Sequence, residues 1–93
     1  MYFITEFRVN RAAMPEKPPS DREYEQEQIK KGKLLMAFGA IGGPRSYFLW
    51  SVESPEELRT ILQAFPLAKW LEWDTHPVAL MPCFKDWKIQ YTI

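Results

Sequence analysis

The sequence predicts an α+β domain in which one antiparallel sheet carries two helices on the same face. Two adjacent stretches support this fold class most strongly. Residues 46–52 are aromatic and apolar without helical spacing, which is typical of a buried strand. The sequence Ser-Pro-Glu-Glu follows at 54–57, and it is typical of the first turn of a helix. A strand joined so closely to a helix is expected in a compact layered domain.

Length and composition restrict the function. Ninety-three residues make one domain, and 46% of them are hydrophobic, so we expect apolar surface left over for a pocket or a partner. Twelve basic and twelve acidic residues give a formal net charge of zero, so charge gives no reason to expect binding to nucleic acid or to an anionic membrane. The apolar start contains charges at Glu6 and Arg8, which fits neither a signal peptide nor a membrane span. The single cysteine, Cys83, excludes an internal disulfide and predicts a cytoplasmic location.

The first predicted strand covers residues 2–9. Its side chains alternate between two faces, with phenylalanines on one and Glu6 and Arg8 on the other. Residues 10–19 contain three prolines, so we expect an irregular connection there.

The first predicted helix covers residues 20–31. Ser20 and Glu23 have the spacing of a capping box, and Gly32 ends the helix. One face of this helix is unusually polar: Asp21, Tyr24, Glu25 and Gln28. A buried carboxylate costs on the order of several kcal/mol unless it is paired. Two interpretations therefore stay open. Either the helix is mostly solvated and rests on Tyr24 and Ile29, or it forms the polar wall of a cavity above the sheet.

The second predicted helix begins at Ser54. Pro55 suits the first helical position, and Glu57 can reach back to close a capping box. An apolar stripe follows that should cover the sheet: Leu58, Ile61, Leu62 and Phe65. Pro66 ends the run.

A hairpin and a last strand complete the predicted sheet. The hairpin joins residues 33–41 to 46–52, and the last strand lies within 70–80. The order is β-α-β-β-α-β, which is the ferredoxin-like pattern of four antiparallel strands with two helices on one face. The bare face carries aromatic residues, so we expect a homo-oligomer that buries it. Residues 1–93 are one domain, in which the strand-like stretch at 82–93 is predicted to dock on an edge of a neighbouring subunit.

The sequence resembles the muconolactone Δ-isomerases and the related chloromuconolactone dehalogenases over residues 1–82. The resemblance is carried by the opening MYFITEFRVN, by Gly-Lys at 32–33, by the strand that ends in Val-Glu-Ser, and by Phe-Pro-Leu at 65–67. It implies small α+β barrel subunits that assemble into cyclic oligomers and act without metal or cofactor. It also implies a reaction that moves a proton between two carbons of an unsaturated γ-lactone.

The resemblance points to an acid/base residue near the start of the first helix. The proposed catalytic Glu of the family falls on Asp21 here. Glu25, one turn later on the same face, is the second candidate. A partly apolar pocket would raise the pKa of either carboxyl group towards neutral pH.

Four further residues are candidates for substrate binding. Tyr24 and Tyr47 would donate hydrogen bonds to an enolate, and Arg8 would hold a carboxylate. His76 carries an imidazole, a side chain often used for proton transfer, although a lone His is more often structural. One His and one Cys give little support for a zinc or haem site, so we expect no cofactor.

The chain departs from the family pattern where the pocket is expected. The second strand of the family is rich in Trp, Arg and His, but here it is apolar, and Ser46 replaces an Asn. The substrate is therefore a small molecule that is expected to differ from muconolactone. The same fold also hosts cyclases, dehalogenases and monooxygenases, and a non-catalytic module for small-molecule binding or assembly stays open as well.

Overall fold

The computed structural model describes residues 1–84. Four antiparallel strands form one sheet in the order β2-β3-β1-β4. The elements are β1 (Tyr2–Val9), α1 (Arg22–Lys30), β2 (Leu34–Gly39), β3 (Arg45–Ser51), α2 (Pro55–Gln63) and β4 (Leu71–Val78). Both helices cover the same face of the sheet, so the predicted ferredoxin-like α+β fold is confirmed.

The ends of the elements follow from local chemistry. Gly32 ends α1 with φ of +72°, and Gly42 in the β2–β3 turn has φ of +78°. Both angles lie in the left-handed region that glycine adopts without steric cost. At the turn, β2 ends two residues earlier than predicted and β3 begins one residue earlier, with the turn itself starting at Ile41.

Helix α2 is capped largely as its sequence predicts. Ser54 Oγ accepts a hydrogen bond from the backbone N–H of Glu57 at 3.1 Å. The Glu57 carboxylate reaches back, but it accepts from the N–H of Glu53 at 3.1 Å instead of closing the box on Ser54. It also pairs with Lys33 Nζ at 2.7 Å, which ties the start of α2 to the residue before β2. The predicted stripe is confirmed, since all four of its side chains are buried: Leu58, Ile61, Leu62 and Phe65.

We expect Ser54→Ala to lower the free energy of unfolding by about 1 kcal/mol, because the N–H of Glu57 loses its acceptor. Urea titration followed by circular dichroism would measure this. Thr60→Ala in the same helix is the matched control, since Thr60 is exposed and bonds only to its own helix. A loss at Ser54 no larger than that at Thr60 would contradict the cap.

Helix α1 begins differently from the prediction. Its N-cap is Asp21, whose side chain makes no capping hydrogen bond, and the predicted box between Ser20 and Glu23 is wrong. Ser20 Oγ instead accepts from the N–H of Arg22 at 3.2 Å, two residues on. The box fails because the chain already has helical angles at Asp21, so the first helical residue is Arg22.

The polar face of α1 is the one that faces the sheet. Gln28 is only 5% exposed, and Tyr24 packs against the core. Most of the helix is exposed and it rests on Tyr24, as the first interpretation predicts, but Ile29 is 56% exposed and lies outside the core. The face turned towards the sheet is nevertheless polar, as the second interpretation predicts.

Aromatic rings fill the space between the sheet and the helices. Phe7 lies at their centre, with ring centroids 5.0 Å from Phe48, 5.4 Å from Phe65 and 6.1 Å from Trp73. Such tilted and edge-to-face pairs add about 0.5–1.5 kcal/mol each beyond the burial of apolar area. Trp50 is fully buried beside them, and its Nε1 has no hydrogen-bond partner among residues 1–84. Packing alone therefore holds Trp50 in the core.

The opposite face of the sheet carries no helix. Partners across antiparallel strands share a face, and Glu6 pairs with Tyr47 and Asp74. Large apolar side chains are exposed there, including Phe38 at 58% and Tyr2 at 48%. We call this side the open face. The predicted docking of residues 82–93 concerns residues 85–93, which lie outside the described part of the chain.

Candidate active site

A small cleft of about 100 Å³ opens between the start of α1 and one end of the sheet. The antiparallel pairing brings the end of β1 beside the starts of β3 and β4, since Phe7 pairs with Ser46 and Val9 with Leu71. Most of the wall is apolar and comes from these strand ends and the loop after α2: Phe7, Val9, Phe48, Phe65, Leu67 and Leu71. The polar side chains of the wall are Asp21, Glu25 and Ser46.

Asp21 connects the start of α1 to the loop after α2. Its Oδ1 accepts a hydrogen bond from the backbone N–H of Leu67 at 3.0 Å. Burial raises the pKa of Asp21 above its ordinary value, and the Leu67 N–H acts in the opposite sense because it stabilises the charged form. The carboxylate therefore has a clear structural role whether or not it takes part in chemistry.

Glu25 lies one turn further along the same face. Burial raises the pKa of Glu25, and the nearby negative charge of Asp21 raises it further. No hydrogen bond or ion pair holds the Glu25 carboxyl group within residues 1–84. Its side chain lines the cleft without such a partner, which is the situation expected of a group that transfers protons.

Two substitutions separate the effect of the Asp21–Leu67 hydrogen bond from the effect of the Asp21 charge. We expect Asp21→Ala to lower the free energy of unfolding by about 1–2 kcal/mol, because the N–H of Leu67 is left without its acceptor. Asp21→Asn keeps an acceptor oxygen and should cost clearly less. Chemical denaturation of both variants would measure the difference. Equal losses in the two variants would show that the hydrogen bond to Leu67 contributes nothing.

Tyr24 is not part of the cleft wall. Its hydroxyl group donates to the carbonyl oxygen of Ile61 at 2.6 Å, which joins the two helices. Its ring packs on Phe65 with centroids 4.8 Å apart. Burial raises the pKa of Tyr24, and the charge of Glu27 adds to this. In this arrangement the hydroxyl is engaged away from the cleft.

The sheet separates three other candidates from the two carboxyl groups. Tyr47 and His76 pair with Glu6 and Ile4 of β1, so together with Arg8 they project from the open face. Arg8 is held there by carboxylates, at 2.8 Å from Asp74, 3.2 Å from Glu6 and 3.8 Å from Glu72. Hydrogen bonds to Asp74 and then Glu6 raise the pKa of Arg8. Within one chain, none of the three reaches the cleft, and their substrate-binding roles stay predictions.

Ser46 also lines the cleft, although it was not among the predicted site residues. Its position could have been predicted, because strand alternation puts Ser46 on the same face as Phe48, beneath the helices. Leu67 and Leu71 also line the cleft and were not predicted to do so. They lie in a loop and at a strand start, where no periodicity indicates direction.

Within residues 1–84, no cluster of three or more His, Cys, Asp or Glu side chains has the arrangement of a metal site. None of the described helices is both long and apolar enough to span a bilayer. The cytoplasmic location stays a prediction.

The sheet order and the cleft define a ferredoxin-like α+β protein with a candidate acid/base site beneath its first helix. The family model for muconolactone delta-isomerase matches residues 1–83, and the chain belongs to this family. The crystal structure of muconolactone isomerase at 3.3 Å resolution has a similar fold, with a TM-score of 0.75. The similarity covers 88% of this chain and 92% of that chain at 19% sequence identity, which supports the fold alone. No curated protein matches the sequence.

Proposed function

We propose that this protein is a cofactor-independent isomerase that moves a proton between two carbons of a small unsaturated lactone or a related enolisable ring. Membership of the muconolactone delta-isomerase family supports this reaction class. The observation that carries the proposal is the pair of half-buried carboxyl groups, Asp21 and Glu25, in one cleft. Paired carboxyl groups with raised pKa values are suited to proton transfer near neutral pH.

Glu25 is the proposed acid/base. As a carboxylate, it removes a proton from a ring carbon made acidic by the carbonyl group. The electron pair of that C–H bond moves onto the carbonyl oxygen and forms an enolate. The protonated Glu25 returns the proton to the other end of the conjugated system, and the ring double bond shifts. Atoms and electrons balance without any co-reactant.

Asp21 and Ser46 have supporting roles in this proposal. Asp21 is held by the N–H of Leu67, so its negative charge stays beside Glu25 and adds to the effect of burial, which is the main cause of the raised pKa of Glu25. Ser46 provides a hydroxyl group in the same wall that can donate to the enolate oxygen. Asp21 is thus a positioning residue and Glu25 the group that touches the substrate.

Proton exchange would test the proposal directly. The protein is incubated in D₂O with a β,γ-unsaturated γ-lactone, and ¹H NMR follows both loss of the ring C–H signal and appearance of the isomer. We expect both to exceed the rate in buffer. The double variant Asp21→Asn/Glu25→Gln is the control and should return the rate towards that of buffer. Equal rates for the protein and this variant would favour a non-catalytic binding or assembly module.

We also propose that a second copy of the chain covers the open face. Exposed apolar side chains on that face, Phe38 and Tyr2 among them, support an interface. Sedimentation equilibrium should give a mass above that of one 11.0 kDa chain. Phe38→Glu should shift the protein towards monomers, and an unchanged monomeric mass in both proteins would disprove the assembly.

A further inference from the structure

The charge inside the cleft restricts which substrate it can accept. Its titratable side chains are the carboxyl groups of Asp21 and Glu25, and Ser46 is its remaining polar side chain. No Arg, Lys or His lines it within residues 1–84. The cleft is therefore anionic or neutral, depending on pH, and the rest of its wall is apolar.

Three cations in or next to the sheet are paired with carboxylates outside the cleft wall. Arg8 and Arg45 lie on the open face, where both contact the carboxylate of Glu6 at 3.2 and 3.3 Å. Lys33 pairs with Glu57 at the junction of β2 and α2, at 2.7 Å. Each of these cations already has a carboxylate partner, and the two arginines are separated from the cleft by the sheet.

A substrate carboxylate in this cleft would lose hydration and meet two acidic side chains without a compensating cation. Both effects oppose its binding, since like charges repel most strongly where solvent is partly excluded. An uncharged carbonyl compound meets neither penalty. Its oxygen can accept a hydrogen bond from Ser46, and its ring can lie against the apolar wall.

We infer that the substrate of this cleft is an electrically neutral, enolisable lactone or cyclic enone without a carboxylate group. This inference rests on the proposed isomerase function and names its substrate class. The small size of the cleft agrees with it. A volume of about 100 Å³ lies below the usual range of small-molecule pockets, so it favours a ring with short substituents.

A matched pair of compounds tests the inference on the wild-type protein. One is an unsaturated γ-lactone that bears a carboxymethyl group, and the other is its methyl ester. We expect kcat/KM for the ester to exceed that for the acid by at least about tenfold. Added salt should raise the rate with the acid and leave the rate with the ester unchanged, because screening weakens the repulsion.

A charge-introducing variant gives a second readout. Ser46→Arg places a cation in the wall and should lower the ester-to-acid ratio by at least about tenfold. Ser51→Arg is the matched control, because Ser51 is in the same strand but pairs with Tyr2 on the open face. The ester-to-acid ratio of kcat/KM for Ser51→Arg should equal that of the wild type. Taking the ratio within each variant removes any general loss of activity.

The outcomes separate the two proposals. Turnover of both compounds with equal preference, or with preference for the acid, would overturn the neutral-substrate inference and leave the isomerase function intact. If neither compound reacted or exchanged deuterium, the isomerase proposal would fall, and the inference with it. A preference for the ester that weakens in Ser46→Arg alone would support both.

Discussion

Replacing Glu25 by Gln is expected to lower kcat/KM for isomerisation by about 10²–10⁴-fold. The amide has nearly the same shape and still forms hydrogen bonds, but it cannot accept the proton from carbon. Steady-state kinetics on a neutral lactone would measure the loss. Glu23→Gln is the matched control, since Glu23 lies in the same helix turn on the exposed side. Similar activities for the two variants would remove Glu25 from the mechanism.

The loss in Glu25→Gln should not come from unfolding. The pKa of Glu25 is raised in the folded protein, so ionisation there costs more than in the unfolded chain. The protonated Glu25 carboxyl group therefore favours the folded state. This stabilisation is fully present at pH values below the pKa of Glu25 in the unfolded chain, and it is lost as the pH rises through the higher pKa in the folded protein. At neutral pH, removing the carboxylate should therefore leave the melting temperature unchanged or slightly higher. Thermal denaturation at pH 7 would check this.

The pH dependence should show how Asp21 acts on Glu25. Activity requires the carboxylate form of Glu25, so the rate should fall as the pH drops through its raised pKa. Asp21→Asn removes the negative charge that helps to raise this pKa, and the acid limb of the kcat/KM profile should move to lower pH. Asp21→Asn keeps an acceptor for Leu67, so a merely structural role would not move the limb. An unmoved limb would contradict the coupling.

Replacing Phe7 by Ala is expected to lower the free energy of unfolding by about 3–5 kcal/mol. Phe7 is 2% exposed, and its ring touches three other aromatic rings. A domain of this size has a total stability of about 5–15 kcal/mol, so the variant would lose a large part of it. Guanidinium unfolding followed by tryptophan fluorescence would measure the change.

Phe38→Ala provides the comparison, because it makes the same chemical change on the open face. Phe38 is 58% exposed in the single chain, so we expect a loss below about 1 kcal/mol in dilute protein. Equal losses at Phe7 and Phe38 would contradict the assignment of the core to the helix-covered face.

The sequence predicts the parts of the fold that local signals specify. Helix α2 carries its cap and its apolar stripe within a dozen residues, so both could be read without knowledge of tertiary contacts. Helix α1 could not be treated in this way. Its polar face turns inward because Asp21 bonds to Leu67 and Tyr24 bonds to Ile61, and both partners lie more than thirty-five positions away along the chain.

The candidate site was predictable to a similar extent. Helical spacing placed Asp21 and Glu25 on one face, and both line the cleft. Tyr47, Arg8 and His76 were grouped with them on chemical grounds, but strand alternation puts all three on the other side of the sheet. Alternation was visible in the sequence, whereas the face covered by the helices was set by packing across the whole domain.

The cleft lies next to two loop connections of the chain. It occupies one end of the sheet, where β1 stops and β3 and β4 start, and the connections 10–21 and 40–44 leave from that same end. Phe7, Phe48 and Phe65 belong both to the aromatic core and to the cleft wall, whereas neither connection contributes a residue to that core. Insertions or randomised libraries in these two connections could thus retune substrate choice while the scaffold tolerates them, which makes this small protein a practical starting point for directed evolution.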